Sequence, residues 1–248
     1  MHDSDSHLRM RDGSASQSNS AVAATTKDTT LFQYTHGVAD PARISPDSYT
    51  VDQFFLDRPG NAAVQLDLLY DYQSNVALYD MWHEYFRSRQ PRMLILWGKN
   101  DLFFTVEGAK AYQRDIPEAE LHLIDTGHFA LEDFSGFIAE RMRKFLGQSR
   151  PRWCQRGLNQ EKERRGMSVN GNITVVAVHG AWADGSSWRE VILGPEREGL
   201  RVIAAPIPLT SLGDDTVALK RAIARADGPV ILAGHAYAGA VIGNRTFN

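Results

Sequence analysis

The sequence is poor in cysteine and carries no strong excess of either charge. Cys154 is the single cysteine among 248 residues, which excludes an internal disulfide framework and fits a reducing cytoplasm. A formal net charge of -3 gives no general reason to expect binding to nucleic acid or to a membrane surface. No apolar run approaches the roughly 20 residues needed to cross a bilayer. We therefore expect a cytoplasmic protein without membrane-spanning segments.

The sequence does contain enough apolar residues for a sizeable core, since 43% of them are hydrophobic. Residues 1–30 are rich in serine, threonine and small polar residues and lack the features of a secretory signal, so they predict a disordered tail. Residues 148–170 are polar, basic and aperiodic, which is typical of a linker. The chain is thus divided into two globular segments, 31–147 and 171–248.

Both segments alternate between strand and helix patterns. In the first, "ISPDSYTVDQFFLDRPGN" is interpreted as a loop, residues 62–90 as two helices, and "RMLILWG" and "ELHLIDTG" as buried strands. In the second, "NITVVAVHG", "LRVIAAPIP" and "PVILAGH" are predicted strands with helices between them. Such alternation is typical of parallel βαβ units with helices on both faces of a sheet. The predicted fold class is therefore α/β.

Two residues of the first segment could move a proton together. Asp101 follows one predicted strand and His128 follows the next, 27 residues later. Parallel strands present their carboxyl ends at the same edge of a sheet, where open α/β sheets build their sites. Each residue alone is more commonly an ordinary loop residue. Their combined placement, however, predicts a carboxylate–imidazole hydrogen bond in which Asp101 orients a basic His128.

The second segment contains two turns that could complete such a site. In "VHGAWADGSSW", backbone N–H groups near Ala181 and Trp182 could face a developing oxyanion, although a plain βα turn with Gly180 at positive φ explains the residues equally well. In "GHAYAG", the pattern of a nucleophile elbow, G-x-S-x-G, has Ala236 in place of serine and Ala238 in place of the second glycine. Tyr237 would lie opposite Ala181.

These stretches resemble the α/β-hydrolase fold in two separate pieces. Residues 31–146 look like the cap and C-terminal half of a hydrolase of the haloalkane dehalogenase and epoxide hydrolase group, through "ISPDSYTVDQFFLDRPGN" and "ILWGKNDLFFTVEGAKAYQRDIPEAELHLIDTGHFALED". Residues 167–248 look like the N-terminal half of a small esterase of the "HGAW…GHSYGG" type, with Met167 where an initiator would stand.

The resemblance implies a role for each candidate residue. Asp101 takes the place of the triad acid and His128 that of the base, while Ala236 stands where the family has its serine nucleophile. Ala181, Trp182 and Tyr237 fall at the oxyanion hole. The chemistry of such a site is hydrolysis of an ester or related bond of a small molecule, with no cofactor and no metal.

The order of the two pieces is inverted, because the family runs nucleophile, acid, base along the chain. A circularly permuted hydrolase and a fusion of two incomplete hydrolase fragments both account for this order. The familiar sheet has one strand between the elbow strand and the strand before Asp101, and no stretch supplies it convincingly. We therefore favour the fusion. A homo-oligomer in which another copy supplies that strand is a third account.

The predicted function is that of an α/β-hydrolase-like protein that is catalytically impaired, because the alanine at 236 cannot form an acyl-enzyme. Two alternatives remain open at this point. The chain could be a non-catalytic protein that binds a small ligand in a hydrolase pocket, or a fusion of fragments without a function.

Overall fold

The computed structural model describes residues 26–148, 173–196 and 201–246. Most of the predicted tail and linker, including Cys154 and Met167, lies outside these ranges. The helices are α1 (Lys27–Thr35), α2 (Pro46–Leu56), α3 (Asn61–Asp71), α4 (Gln73–Arg89), α5 (Val106–Asp115), α6 (Ala130–Asp133), α7 (Ser135–Gln148), α8 (Arg189–Glu196), α9 (Leu212–Ile223) and α10 (Ala238–Thr246). Short 3₁₀ helices span Pro41–Arg43 and Gly185–Trp188. The strands are β1 (Leu94–Gly98), β2 (Glu120–Ile124), β3 (Thr174–Val178), β4 (Arg201–Ala205) and β5 (Val230–Gly234).

The strands form two parallel sheets, one in each segment. β1 pairs with β2, and Gly98 lies opposite Ile124 at their carboxyl ends. β3 lies between β4 and β5, with Val178 opposite Gly234. Among the described residues no ladder joins the two sheets. The fold is thus mixed α/β, with parallel sheets flanked by helices, as the alternation of patterns predicts.

The central strand β3 explains why short apolar runs were reliable strand signals. Its sequence TVVAV is buried at all five positions. A parallel strand covered by helices on both faces must be apolar throughout, and β-branched residues pack well on a pleated surface. The flanking strands β4 and β5 are only partly buried along most of their length.

The interpretation of residues 44–61 as a loop was wrong, since α2 occupies Pro46–Leu56. The Ser45 side chain accepts a hydrogen bond from the backbone N–H of Asp47, which caps the helix, and Pro46 occupies the first turn. Proline at this position is favourable because its missing N–H would have no helical partner anyway. The first helix also begins at Lys27, four residues before the predicted start of the globular segment.

One core connects the two segments. Ile124, Leu131 and Ile138 of the first segment pack in the same buried cluster as Trp188 and Val191 of the second. The cluster lies where α7 packs against α8. Because protein interiors are closely packed, this shared core fixes the position of one sheet relative to the other. Within the described ranges, no helix has the length and apolar character needed to cross a membrane.

The loops that follow β1 and β2 approach each other more closely than side chains would permit. A Cβ placed on Gly98 would lie 2.1 Å from the carbonyl oxygen of Gly127 and 2.8 Å from that of Thr126. A Cβ placed on Gly127 would lie 1.9 Å from the carbonyl oxygen of His36. Gly98 therefore allows the loops that carry Asp101 and His128 to meet, and Gly127 allows the second of these loops to meet the segment after α1.

The substitution Gly98→Ala should destabilise the protein, because its methyl group would collide with backbone that cannot rotate away. We expect a loss of about 1–3 kcal/mol in the free energy of unfolding, measured by urea denaturation. Gly136→Ala is the matched control, since a Cβ there meets nothing within 4 Å and helix propensity favours alanine by up to about 1 kcal/mol. Equal stabilities of the two variants would contradict this account of the loop packing.

Candidate functional site

Asp101 and His128 form the hydrogen bond that their placement predicts. His128 Nδ1 lies 2.8 Å from Asp101 Oδ2, and both side chains are largely buried. We assign the Nδ1 proton to His128, because an ionised carboxylate can only accept. The other oxygen, Asp101 Oδ1, accepts from the backbone N–H groups of Phe103 at 2.8 Å and Phe104 at 3.1 Å. The carboxylate is thus fixed from both sides.

The surroundings of Asp101 keep it ionised. Burial alone would raise the pKa of this carboxyl, but the hydrogen bond and charge of His128 and the two backbone N–H groups together hold the pKa below its usual value. A carboxylate with several donors is expected to behave in this way. Asp101 can therefore stabilise a charged imidazole at neutral pH.

Aromatic rings hold the imidazole of His128 in one orientation. Phe104 stacks on it with ring centroids 5.4 Å apart, while Phe103 and Phe129 meet it edge-on at 5.3 and 5.2 Å. Since Nδ1 is directed at Asp101, Nε2 is the nitrogen left on the opposite side of the ring. This nitrogen is the one that could accept a proton from a reacting group.

The stretch GHAYAG has the backbone of a nucleophile elbow. Ala236 adopts a φ of 50°, a left-handed conformation that is uncommon for residues other than glycine, and α10 begins two residues later. A Cβ on Gly234 would lie 2.7 Å from Ile242 Cδ1 and 3.0 Å from Ala238 Cβ, so Gly234 makes room for the helix. The sharp turn is therefore present, with a methyl group at its tip.

His235 connects this turn to the loop of the base. Its Nε2 donates to the backbone carbonyl of His128 at 3.0 Å, and its backbone N–H donates to Val178 O at 3.1 Å. Its Nδ1 is buried and has no hydrogen-bond partner among the described residues. Burial, followed by the charge of His128, lowers the pKa of His235 to about 4. Sequence reasoning found no role for this side chain.

The candidate oxyanion residues lie on two neighbouring loops. A Cβ on Gly180 would lie 3.5 Å from Ala236 Cβ, which places the loop carrying Ala181 and Trp182 beside the elbow. Trp182 adopts a φ of 63°, and Gly180 is not among the residues at positive φ. The left-handed conformation that the plain-turn alternative assigned to Gly180 is therefore adopted by Trp182 instead.

Tyr237, the third of these residues, is anchored by a buried acid that sequence reasoning missed. Its hydroxyl donates to Asp215 Oδ2 at 2.8 Å, while Asp215 Oδ1 accepts from the backbone N–H of Leu209 at 2.7 Å. Burial raises the pKa of Asp215 and of the Tyr237 hydroxyl. In the sequence, Asp215 is the second of two aspartates at the start of a helix, a position where acids usually serve the helix dipole.

Part of the chain is similar to a protein that is named as a hydrolase. It is 39% identical over 119 residues to the uncharacterized hydrolase YNR064C of Saccharomyces cerevisiae, an alignment that covers 48% of the chain. The alignment covers 41% of the yeast protein, so the chain spans about two fifths of the length of this relative. The match supports a hydrolase ancestry. No protein-family model matches the chain.

No group of three or more histidine, cysteine, aspartate or glutamate residues that could hold a metal ion occurs among the residues that the structure describes.

The neutral state of His235 should make stability depend on pH. Its pKa falls from 6.5 to about 4 on folding, so between these values the unfolded chain binds more protons and stability is lost as the pH falls. We expect this residue to contribute a loss of at most about 3 kcal/mol over that interval. The measurement is urea denaturation at several pH values, comparing the native chain with His235→Gln, whose amide can still donate to His128 O.

The glutamine variant should lose less stability between pH 6.5 and pH 4 than the native chain does. Identical pH profiles for the two proteins would show that His235 is not held neutral by the fold.

Proposed function

We propose that the chain is an α/β-hydrolase-like protein, of an ancestry that cleaved esters or related bonds, whose site keeps the acid and the base but has lost the nucleophile. The observation that carries this proposal is the hydrogen bond of 2.8 Å between His128 and Asp101 beside a sharp turn that has Ala236 at its tip. The identity to a protein named as a hydrolase supports the same ancestry.

The roles follow from the direction of the imidazole. With a serine at 236, Nε2 of His128 would accept the hydroxyl proton while the oxygen attacked a carbonyl carbon, and Asp101 would stabilise the imidazolium. Backbone N–H groups near Ala181, Trp182 and Tyr237 would receive the developing negative charge. With alanine at 236, no oxygen is present to attack, so no acyl-enzyme forms.

The proposal also concerns the inverted order of the two pieces. Some observations favour a fusion of incomplete fragments, and others favour pieces that fold against each other. The absence of a ladder between the two sheets in the described residues favours a fusion of incomplete fragments. The shared core and the hydrogen bond from His235 to the His128 loop favour two pieces that nevertheless fold against each other. We propose an assembled body built from two incomplete hydrolase pieces.

The native chain should give no burst of p-nitrophenol when it is mixed with p-nitrophenyl acetate in a stopped-flow instrument. A burst reports the accumulation of an acyl-enzyme, which Ala236 cannot form. The slow steady-state rate should match that of His128→Ala. A burst in the native chain that disappears in His128→Ala would reject the impaired site.

The substitution Ala236→Ser should not by itself give measurable esterase activity. The turn belongs to one sheet and His128 to the other. The shared core and the His235 hydrogen bond bring them together, but no ladder sets their register to the accuracy that proton transfer requires. A misplacement of about 1 Å can cost a factor of about 100 in rate. The measurement is steady-state hydrolysis of p-nitrophenyl acetate, with Ala236→Ser/His128→Ala as the control. A gain that requires His128 would contradict this prediction.

A further inference from the structure

A cavity of about 570 Å³ lies where the two segments meet, apart from the proposed catalytic residues. One side is formed by α2, α3 and the turn between them, and the other by the loops after β3 and β4. Asp101, His128 and Ala236 do not line it. Its volume falls in the range of small-molecule sites, which are concave, mostly apolar and have a few placed polar groups.

Two of the side chains that line the cavity are acidic. Asp52 and Asp184 line the cavity, one from each segment. Asp52 is 6% exposed, and its Oδ2 accepts from the Tyr34 hydroxyl at 2.5 Å. Burial, followed by the charges of Asp184 and Glu132, raises the pKa of Asp52 to about 7 against the lowering effect of the Tyr34 hydrogen bond. A buried carboxyl in this position gains from a nearby cation.

Neither basic side chain that lines the cavity supplies this cation. Burial lowers the pKa of His179, which disfavours its charged form. The Arg58 guanidinium lies over the Phe55 ring, 4.3 Å from its centroid, and Arg58 is exposed. Among the described residues, no arginine or lysine forms an ion pair with Asp52 or Asp184. Asp184 Oδ1 accepts from the backbone N–H of Ser186 at 2.7 Å. The oxygens available to a charged ligand are therefore Asp52 Oδ1 and Asp184 Oδ2.

Gln65 independently indicates a missing hydrogen-bond donor. It lines the cavity at 4% exposure, and its Oε1 is buried without a partner among the described residues. Its Nε2 donates to Asn61 Oδ1 at 3.4 Å. An acceptor left unsatisfied in this way costs free energy unless a ligand or a water donates to it. A primary ammonium group has three donors and could serve both Gln65 and a carboxylate.

The remaining walls suit an apolar body. Val64, Trp182, Ile207 and Leu209 line the cavity together with Phe55. A ligand that places its charge between Asp52 and Asp184 would lay its apolar part against these side chains and remove them from water.

We infer that this cavity binds a small organic cation, a primary ammonium group attached to an apolar or aromatic body. Trp182 of the proposed oxyanion hole lines the cavity, but Asp101, His128 and Ala236 do not. The inference therefore does not depend on any chemistry at position 236. The cavity between the two segments thus has a binding role of its own.

The test uses isothermal titration calorimetry of the full chain with three probes of similar size: benzylamine, benzyl alcohol and benzoate. Benzylamine should bind at least about tenfold more tightly than benzyl alcohol, because its hydrogen bonds are charge-assisted. Benzoate should give no binding heat. Equal affinities for the amine and the alcohol, binding of benzoate, or no binding of benzylamine would each overturn the inference.

Variants distinguish binding in this cavity from a general attraction of cations to an acidic surface. Asp52→Asn keeps an acceptor for Tyr34 and should weaken benzylamine binding about tenfold while leaving benzyl alcohol unchanged. Gln65→Met should weaken the binding of both benzylamine and benzyl alcohol. Asp47 is exposed and lies on the same helix, so Asp47→Asn should change the affinity for neither ligand. If Asp52→Asn fails to fold by circular dichroism, Asp184→Asn supplies the same measurement. An unchanged affinity in the folded acidic variant, or an equal loss in Asp47→Asn, would overturn the inference.

Discussion

The candidate site depends on the contact between the loop after β2 and the turn after β5. At that contact, His235 Nε2 donates to the backbone carbonyl of His128. This bond ties the segment that carries the base to the segment that carries the elbow, across 107 residues of sequence. It requires a proton on Nε2 of His235, and burial lowers the pKa of this imidazole to about 4, which keeps it neutral near pH 7. The position of the imidazole relative to Ala236 thus depends on a side chain that itself performs no chemistry.

The sequence was informative wherever a local pattern had a single physical explanation. Short apolar runs predicted the strands, since a parallel strand between two layers of helices must be apolar. Asp101 and His128 could be paired in advance because the carboxyl ends of adjacent parallel strands meet. Pro46 misled the reading of α2, because proline both breaks helices and begins them.

The rest of the site could not be predicted because its partners are distant in sequence. Asp215 accepts a hydrogen bond from the hydroxyl of Tyr237, which is 22 residues away in the sequence. Asp52 accepts one from the hydroxyl of Tyr34, which is 18 residues away. Such pairs have no spacing rule, since they depend on how separate elements pack. The division of the strands between two sheets could not be predicted from local patterns either. Each strand is visible locally, but the ladder that a strand joins is set by the whole body.

The two-stranded sheet has a consequence for synthesis. β1 and β2 leave the ribosome early, and domains generally fold from the N-terminus as they are made. The core that covers Ile124 and Leu131, however, includes Trp188 and Val191, which emerge about 60 residues later. During that interval the core around Ile124 lacks the side chains that the second segment contributes, and contacts of such high separation form slowly. A nascent chain of this design is a natural client for chaperones that shield apolar surface.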